Sequence, residues 1–382
     1  MQTMQPALKR GRDVWDPINM PVSEFQIRIK NIRKAMRENQ LDLVLLYGHG
    51  SEQYGHPCYV SNIIAKMPQG VMAVIPKQGE IVLVVEGFAR DLPALKRTTW
   101  VDHVISSRDV AAETVSYLKK EKALPATVGM AGVNEYMPYT QSRYLMEALG
   151  ISQIVDVSGM MGALRMAKSE RELDQMRRSG RIVISVFKSV TDAPLKDLNE
   201  IQVEALIDYL SRLEGAEDIR LLFGRSFENG WSLSPAENRP LGDGEAITVY
   251  LAVSRERYWS EGIRTFRLNS LKLIVQEDEV AVGLYDRLIA GIKPGGSISG
   301  FSKNLLDELE ENSLDAVFDY GLGNGIGLGL EEYPTIIPAS NAQFLNGMCL
   351  AFRLAVKNKQ LGHFMIGDTF VVGKAKVELL TQ

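Results

Sequence analysis

The sequence predicts two folded parts: an α/β domain over residues 21–157, and over 158–382 an α+β domain with helices packed outside a curved antiparallel sheet. Three observations predict it. Short apolar runs alternate with amphipathic segments through the first 155 residues. A capping box then opens a series of helical stripes with strand-like pieces between and after them. Hydrophobic residues make up 45% and charged residues 24% of the 382, the composition of a globular chain with a core of ordinary size.

The elements follow in order. Residues 1–20 are mixed polar with Pro6, Trp15 and Pro17, and read as an N-terminal arm, either loose or docked through Trp15 on another subunit. SEFQIRIKNIRKAMRENQ has apolar residues at helical spacing, and LDLVLLYG reads as a buried strand. VMAVIP and IVLVVE flank Lys77-Gln78-Gly79-Glu80 as a hairpin. DVAAETVSYLKKEKA is helical and ATVGMAG a further strand. In the second part Ser169 and Glu172 make the capping box of a long helix carrying Leu173, Met176, Val183 and Phe187 on one face. NEIQVEALIDYLSRLEGAE, EDEVAVGLYDRLIAGIKPGG and FSKNLLDELEEN are further helices. EAITVYLAV, YWSEGIRTF, MCLAFRLAV and HFMIGDTFVV are strands.

The composition excludes several classes. Net charge is −4 with both signs interspersed, so a nucleic-acid partner is not expected. No apolar run approaches 18 residues, so no membrane span is expected. Two distant cysteines, Cys58 and Cys349, and no apolar leader segment point to reduced thiols in a cytoplasm. Four histidines are few for a metalloenzyme.

Seven landmarks in order then carry a resemblance: ALRMAKSERELDQMRRSGRI, NRPLGDGEAITVYLAV, YWSEGIRTF, IAGIKPGGSISGF, GNGIGLGLEEYPTI, NGMCLAFRLAV and MIGDTFVVG. In this order they resemble the pita-bread fold of creatinase, prolidase, aminopeptidase P and methionine aminopeptidase. The two-domain layout is similar to the creatinase and prolidase branch. The resemblance implies a homodimer acting on a small molecule.

Metal-dependent members bind two divalent ions through two aspartates, a histidine and two glutamates. By landmark, those positions hold Tyr250, Glu261, Asn324, Arg353 and Gly367, and only Glu261 resembles a ligand for a hard cation. No metal and no other cofactor is expected. Creatinase works without metal through a histidine, but Leu233 stands where that histidine would be.

The resemblance places Tyr250, Glu261, Asn324, Glu331 and Arg353 in one cleft. Arg353 would bind a carboxylate or pair with Glu261. Glu261 and Glu331 are candidate proton handlers, and Tyr250 and Asn324 candidate oxyanion donors. His363, Tyr54 and His56 are candidate substrate contacts, the last two in a stretch that resembles the part of a neighbouring subunit closing over the site. Structural readings stand beside these: an ion pair plugging the old metal hole, a packing tyrosine, a surface histidine. The main expectation is a metal-independent creatinase-like hydrolase or lyase on a small carboxylate. The alternatives are a non-catalytic binding or scaffold protein, and an Xaa-Pro peptidase with ligands shifted to His363 and Asp368.

Overall fold

A computed structural model describes residues 14–382 apart from 51–53, 66–68, 122–124, 151–152, 194–197, 228–229, 243, 270–271, 276–277 and 359–361. Most of the expected arm, and Ser51, lie outside the described residues. The chain divides into two compact units, Met1–Arg165 and Met166–Gln382.

The first unit is built on a six-stranded sheet. Its strands are β1 (Leu43–His49), β2 (Gly70–Pro76), β3 (Val82–Glu86), β4 (Val104–Ser107), β5 (Thr127–Ala131) and β6 (Gln153–Asp156). The order is β4-β3-β2-β1-β5-β6. The expected hairpin is β2–β3, antiparallel, whereas β1–β5 and β5–β6 are parallel. β1 is apolar from Leu43 to Leu46 because both of its faces are covered, as its near-continuous burial shows.

The second unit contains β7 (Asp218–Phe227), β8 (Gly230–Ser234), β9 (Ala246–Arg255), β10 (Tyr258–Asn269), β11 (Lys272–Val275), β12 (Asp315–Ala316), β13 (Gly323–Gly325), β14 (Glu332–Thr335), β15 (Cys349–Asn358), β16 (Gly362–Val372) and β17 (Val377–Leu379). They form one curled antiparallel sheet whose central path runs β14-β13-β15-β16-β10-β9-β7-β8. The expected capping box is present: Ser169 accepts from the Glu172 amide and opens helix Glu170–Asp192. Helix Glu200–Leu213 has a box of its own, Asn199 with Gln202.

Side-chain alternation sorts this sheet into two faces. Ile247, Val249, Leu251 and Val253 of β9 pack under helix Glu170–Asp192 through Val183, Val186 and Phe187. Leu350, Phe352 and Leu354 of β15 pack under helices Glu279–Gly291 and Ile298–Glu311 through Leu284, Leu288 and Leu305. The residues between them face the other way. Ile263, Ala355 and Met365 gather there with Trp231, Leu233, Tyr250, Val317 and Tyr320. This open face is where the candidate residues lie.

The two halves of the sheet meet at a short seam. β10 and β16 are paired through Gly262 with Asp368 and Ile263 with Gly367. Threonine hydroxyls lengthen it in both directions. Thr369 Oγ1 accepts from the Glu261 amide at 2.8 Å and donates to the Glu261 carbonyl at 3.0 Å. Thr265 Oγ1 does the same for Met365, at 3.0 Å each way. The backbone of Glu261 is thereby fixed from across the seam.

Candidate functional site

Five of the candidate positions come from five pieces of chain, and the sheet brings four of their side chains into direct contact. Tyr250 on β9 and Glu261 on β10 project from the same face, because Tyr250 pairs with Ile263 and Ile263 lies two residues from Glu261. The Tyr250 hydroxyl donates to Glu261 Oε2 at 3.0 Å. Arg353 on β15 donates Nε to Glu261 Oε1 at 2.6 Å and Nη2 to Oε2 at 3.0 Å. Its Nη1 donates to Asn324 Oδ1 at 3.1 Å.

Asn324 is the centre of the glycine loop. Its own amide donates to the carbonyls of Gly325 at 2.7 Å and Leu330 at 2.9 Å, so one side chain staples the loop and steadies the arginine. The glycines allow close strand approach. At Gly323, with φ +144°, an added Cβ would sit 2.0 Å from the Ala351 carbonyl oxygen.

Charge follows from this packing. Burial alone would lower the Arg353 pKa, but the charge of Glu261 and its hydrogen bonds outweigh burial and leave it raised. Desolvation, then the Glu261 charge, holds the Tyr250 phenol neutral well past its usual range. The pair is thus a neutralised unit, with the Glu261 side chain 1% and that of Arg353 11% exposed.

The fifth ligand-equivalent position, Gly367, pairs with Arg353. A Cβ there would meet Ile263 Cδ1 at 2.9 Å and the Phe352 carbonyl at 3.1 Å. Ile263 therefore occupies the space a carboxylate at 367 would need. Its neighbour Asp368 points to the helix face, as alternation requires. It accepts from Arg264 Nη2 at 2.8 Å, Thr381 Oγ1 at 2.8 Å and Tyr285 at 3.2 Å. Arg264 thus holds Asp368 on the helix face, away from the open face where a shifted ligand would have to lie.

Among the described residues, no group of three or more His, Cys, Asp or Glu side chains could hold a metal ion. Two hard cations need several carboxylate or imidazole donors. Here one carboxylate is already held by a guanidinium and a phenol. The donor set among the described residues does not fit a two-metal site.

The remaining candidates make no direct contact with this network among the hydrogen bonds described, although the charge of Glu331 acts on both Tyr250 and Arg353. Glu331 is exposed, and it is Glu332 that is buried. Glu332 Oε2 accepts from Lys168 Nζ at 3.0 Å and its Oε1 accepts from the Gly329 amide at 2.9 Å, so it braces the glycine loop. His363 is on the open face, stacked on Trp231 with centroids 5.6 Å apart and planes at 16°. Tyr54 and His56 belong to the first unit, where Tyr54 precedes helix Gly55–Ser61 and His56 Nδ1 lies 3.1 Å from Arg165 Nη1.

Sequence reasoning missed three features: the Ile263 plug, the Lys168–Glu332 brace and the aromatic stack. Period-two alternation from Glu261 would have found the first. The other two join residues 164 and 132 positions apart and leave no local signal.

Comparison with known proteins places this architecture. The sequence profile of metallopeptidase family M24 matches residues 174–374, and that of the Creatinase/Prolidase N-terminal domain matches residues 28–167. The chain belongs to metallopeptidase family M24. An Xaa-Pro dipeptidase of Pyrococcus horikoshii is 19% identical over 361 residues, which cover 93% of this chain and 97% of that protein. The crystal structure of the prolidase from Pyrococcus horikoshii OT3 is similar to this M24 chain with TM-score 0.77 at 18% identity, over 93% of this chain and 98% of that one. The X-Pro aminopeptidase from Thermotoga maritima MSB8 is similar with TM-score 0.77 at 17% identity, over 93% and 97%.

These relatives correct the expected function. The metal-independent creatinase-like hydrolase or lyase does not stand, because the M24 members similar along most of the chain carry the names of Xaa-Pro dipeptidases and prolidases. The geometry agrees on one point. Leu233 offers its backbone amide to the Tyr320 hydroxyl at 2.6 Å, and no imidazole stands in its place.

Proposed function

We propose that this M24 chain acts on short peptides of the Xaa-Pro kind, taken up on the open face of its second unit. The observation that supports it is the match to an Xaa-Pro dipeptidase along 93% of this chain and 97% of that protein. The site supports peptide recognition through polar groups set into an apolar wall: Arg353, Asn324 and Tyr250 beside Ile263, Leu233 and Met365. What these residues do is bind and orient. Arg353 keeps its charge, Tyr250 keeps its proton, and Glu261 holds both in place.

A second reading, peptide capture without cleavage, is favoured by the closed Tyr250–Glu261–Arg353–Asn324 network, in which both oxygens of Glu261 are already engaged. One experiment separates the readings. The full chain is incubated with Ala-Pro and Gly-Pro, with and without manganese or cobalt, and proline release and binding heat are both measured. Release of proline supports the first reading. Binding without release supports the second. Absence of both overturns the peptide assignment.

The same reading includes a homodimer in a cytoplasm, for which light scattering of the purified protein is the direct check. Among the described residues no helix is long and apolar enough to cross a membrane, and Cys58 and Cys349 are both buried.

A further inference from the structure

The helix face of the second unit is packed in two blocks. One joins helix Glu170–Asp192 to β9 and β10, and the other joins helices Glu279–Gly291 and Ile298–Glu311 to β15 and β16. Between the blocks the sheet is weakly closed. Among the described residues, β10 and β16 pair at Gly262 with Asp368 and at Ile263 with Gly367. From Phe266 onward β10 pairs with β11, while β16 stays on β15. The two strands part there, with the Thr265 hydroxyl reaching across to Met365.

A cavity of about 310 Å³ lies where the blocks fail to meet. Ile184 and Phe187 line it from helix Glu170–Asp192, Val282 from helix Glu279–Gly291, Phe364 and Ile366 from β16, and Arg264 from β10. Phe187, Phe364 and Ile366 are buried, whereas Ile184 and Val282 are half-buried. The cavity therefore has a shielded inner wall and a rim that reaches solvent.

The buried polar groups around it are spent on one another. Arg264 Nη1 donates to the carbonyls of Ile263 at 2.8 Å and Gly367 at 3.0 Å. Its Nη2 donates to Asp368 Oδ1 at 2.8 Å and to the Thr381 carbonyl at 3.0 Å, so four of the five guanidinium donors are used. Thr381 Oγ1 donates to Asp368 and accepts from the Thr369 amide. Thr265 Oγ1 is taken by Met365 and Thr248. Asp368, with a side chain at 0% exposure, already offsets the charge of Arg264. A charged guest would lose its hydration here and gain neither a counter-ion nor a full set of hydrogen bonds. A flat neutral ring would meet two phenylalanines and a guanidinium face, which already lies over the Phe187 ring at 6.0 Å from its centroid.

We infer that this cavity binds a neutral aromatic molecule of one or two rings. An apolar cavity of roughly 150 Å³ holds benzene, and on that scale twice the space holds about twelve non-hydrogen atoms. The site lies on the face of the sheet opposite Tyr250, Glu261 and Arg353, and it is independent of the peptide reading. The bond from Arg264 to the Gly367 carbonyl puts it directly behind them, because Gly367 pairs with Arg353.

The test is fluorine NMR of 5-fluoroindole titrated with the full chain, with 5-fluoroindole-3-acetate as its charged counterpart. The neutral ring is expected to bind saturably and at least tenfold tighter than the acetate. Ile184→Trp and Val282→Trp fill the cavity from two different helices, and each is expected to weaken binding at least tenfold. Trp231→Ala, on the open face, is expected to change it by less than twofold. Should neither tryptophan variant fold, nuclear Overhauser contacts from indole to the Ile184 and Val282 methyls in the parent chain support the site, and contacts to Trp231 in their place overturn it. Absence of saturable binding overturns the inference, as does acetate binding as tight as that of the neutral ring. Binding lost in Trp231→Ala and kept in both cavity variants overturns it as well. The peptide reading stands through all of these outcomes, since proline release and binding heat decide it separately.

Discussion

Arg353 grips Glu261 through two parallel hydrogen bonds, Nε to Oε1 at 2.6 Å and Nη2 to Oε2 at 3.0 Å, in a site where the glutamate is buried and the arginine partly so. Such a pair resists the loss of one member more than the loss of both. Arg353→Met strands a buried carboxylate and is expected to destabilise the chain by about 3–5 kcal/mol. Replacing both residues by apolar ones of similar volume is expected to be neutral or stabilising, by up to about 4 kcal/mol. Urea unfolding of the two variants checks this. A double variant as unstable as the single one would contradict it.

Gly367 makes a second prediction about the same space. Gly367→Glu forces a Cβ against Ile263 Cδ1 at 2.9 Å and the Phe352 carbonyl at 3.1 Å. Overpacking of this kind costs about 1–3 kcal/mol. The side chain of Ile263 can yield and the carbonyl cannot, so adding Ile263→Ala should return part of the loss and not all of it. Thermal melts of the single and double variants give the answer.

Cys349 sits at zero exposure, and burial pushes its thiol up to about 12. The thiolate is the reactive form. At pH 8 the folded chain is expected to show no fast reaction of Cys349 with a disulfide reagent. In denaturant both cysteines should react. A fast-reacting thiol mapped to Cys349 in the folded chain would show that the strand is not packed as described.

His363 gives the chain a mild dependence on pH. Burial, then the charge of Lys357, lowers its pKa from 6.5. The unfolded chain therefore takes up the proton first as pH falls. Stability is fully present above about 6.5 and declines as pH drops from there to the folded pKa, below which both states carry the proton and the slope ends. The melting temperature of His363→Gln should fall less than that of the parent chain between pH 7 and pH 5. Parallel curves would mean that the imidazole is not desolvated on Trp231.

Much of this protein was legible in its order of residues. Ser169 with Glu172 announced a helix start because the two side chains satisfy amides within one turn, an interaction local to four residues. The strands Ala246–Arg255 and Cys349–Asn358 showed themselves by apolar runs, and their alternation already put Tyr250 and Arg353 on a different face from Val249 and Phe352.

Tertiary structure alone decided what those residues do to one another. Whether Arg353 turns to Glu261 or to a ligand depends on the seam between β10 and β16, which joins residues about a hundred positions apart. Glu331 and Glu332 are adjacent in sequence, and only the place of Lys168 makes the second the buried one. The Trp231–His363 stack likewise needs a curled sheet. Local propensity and period act over a few residues. Contacts across a sheet depend on register and curvature, which the whole chain sets together.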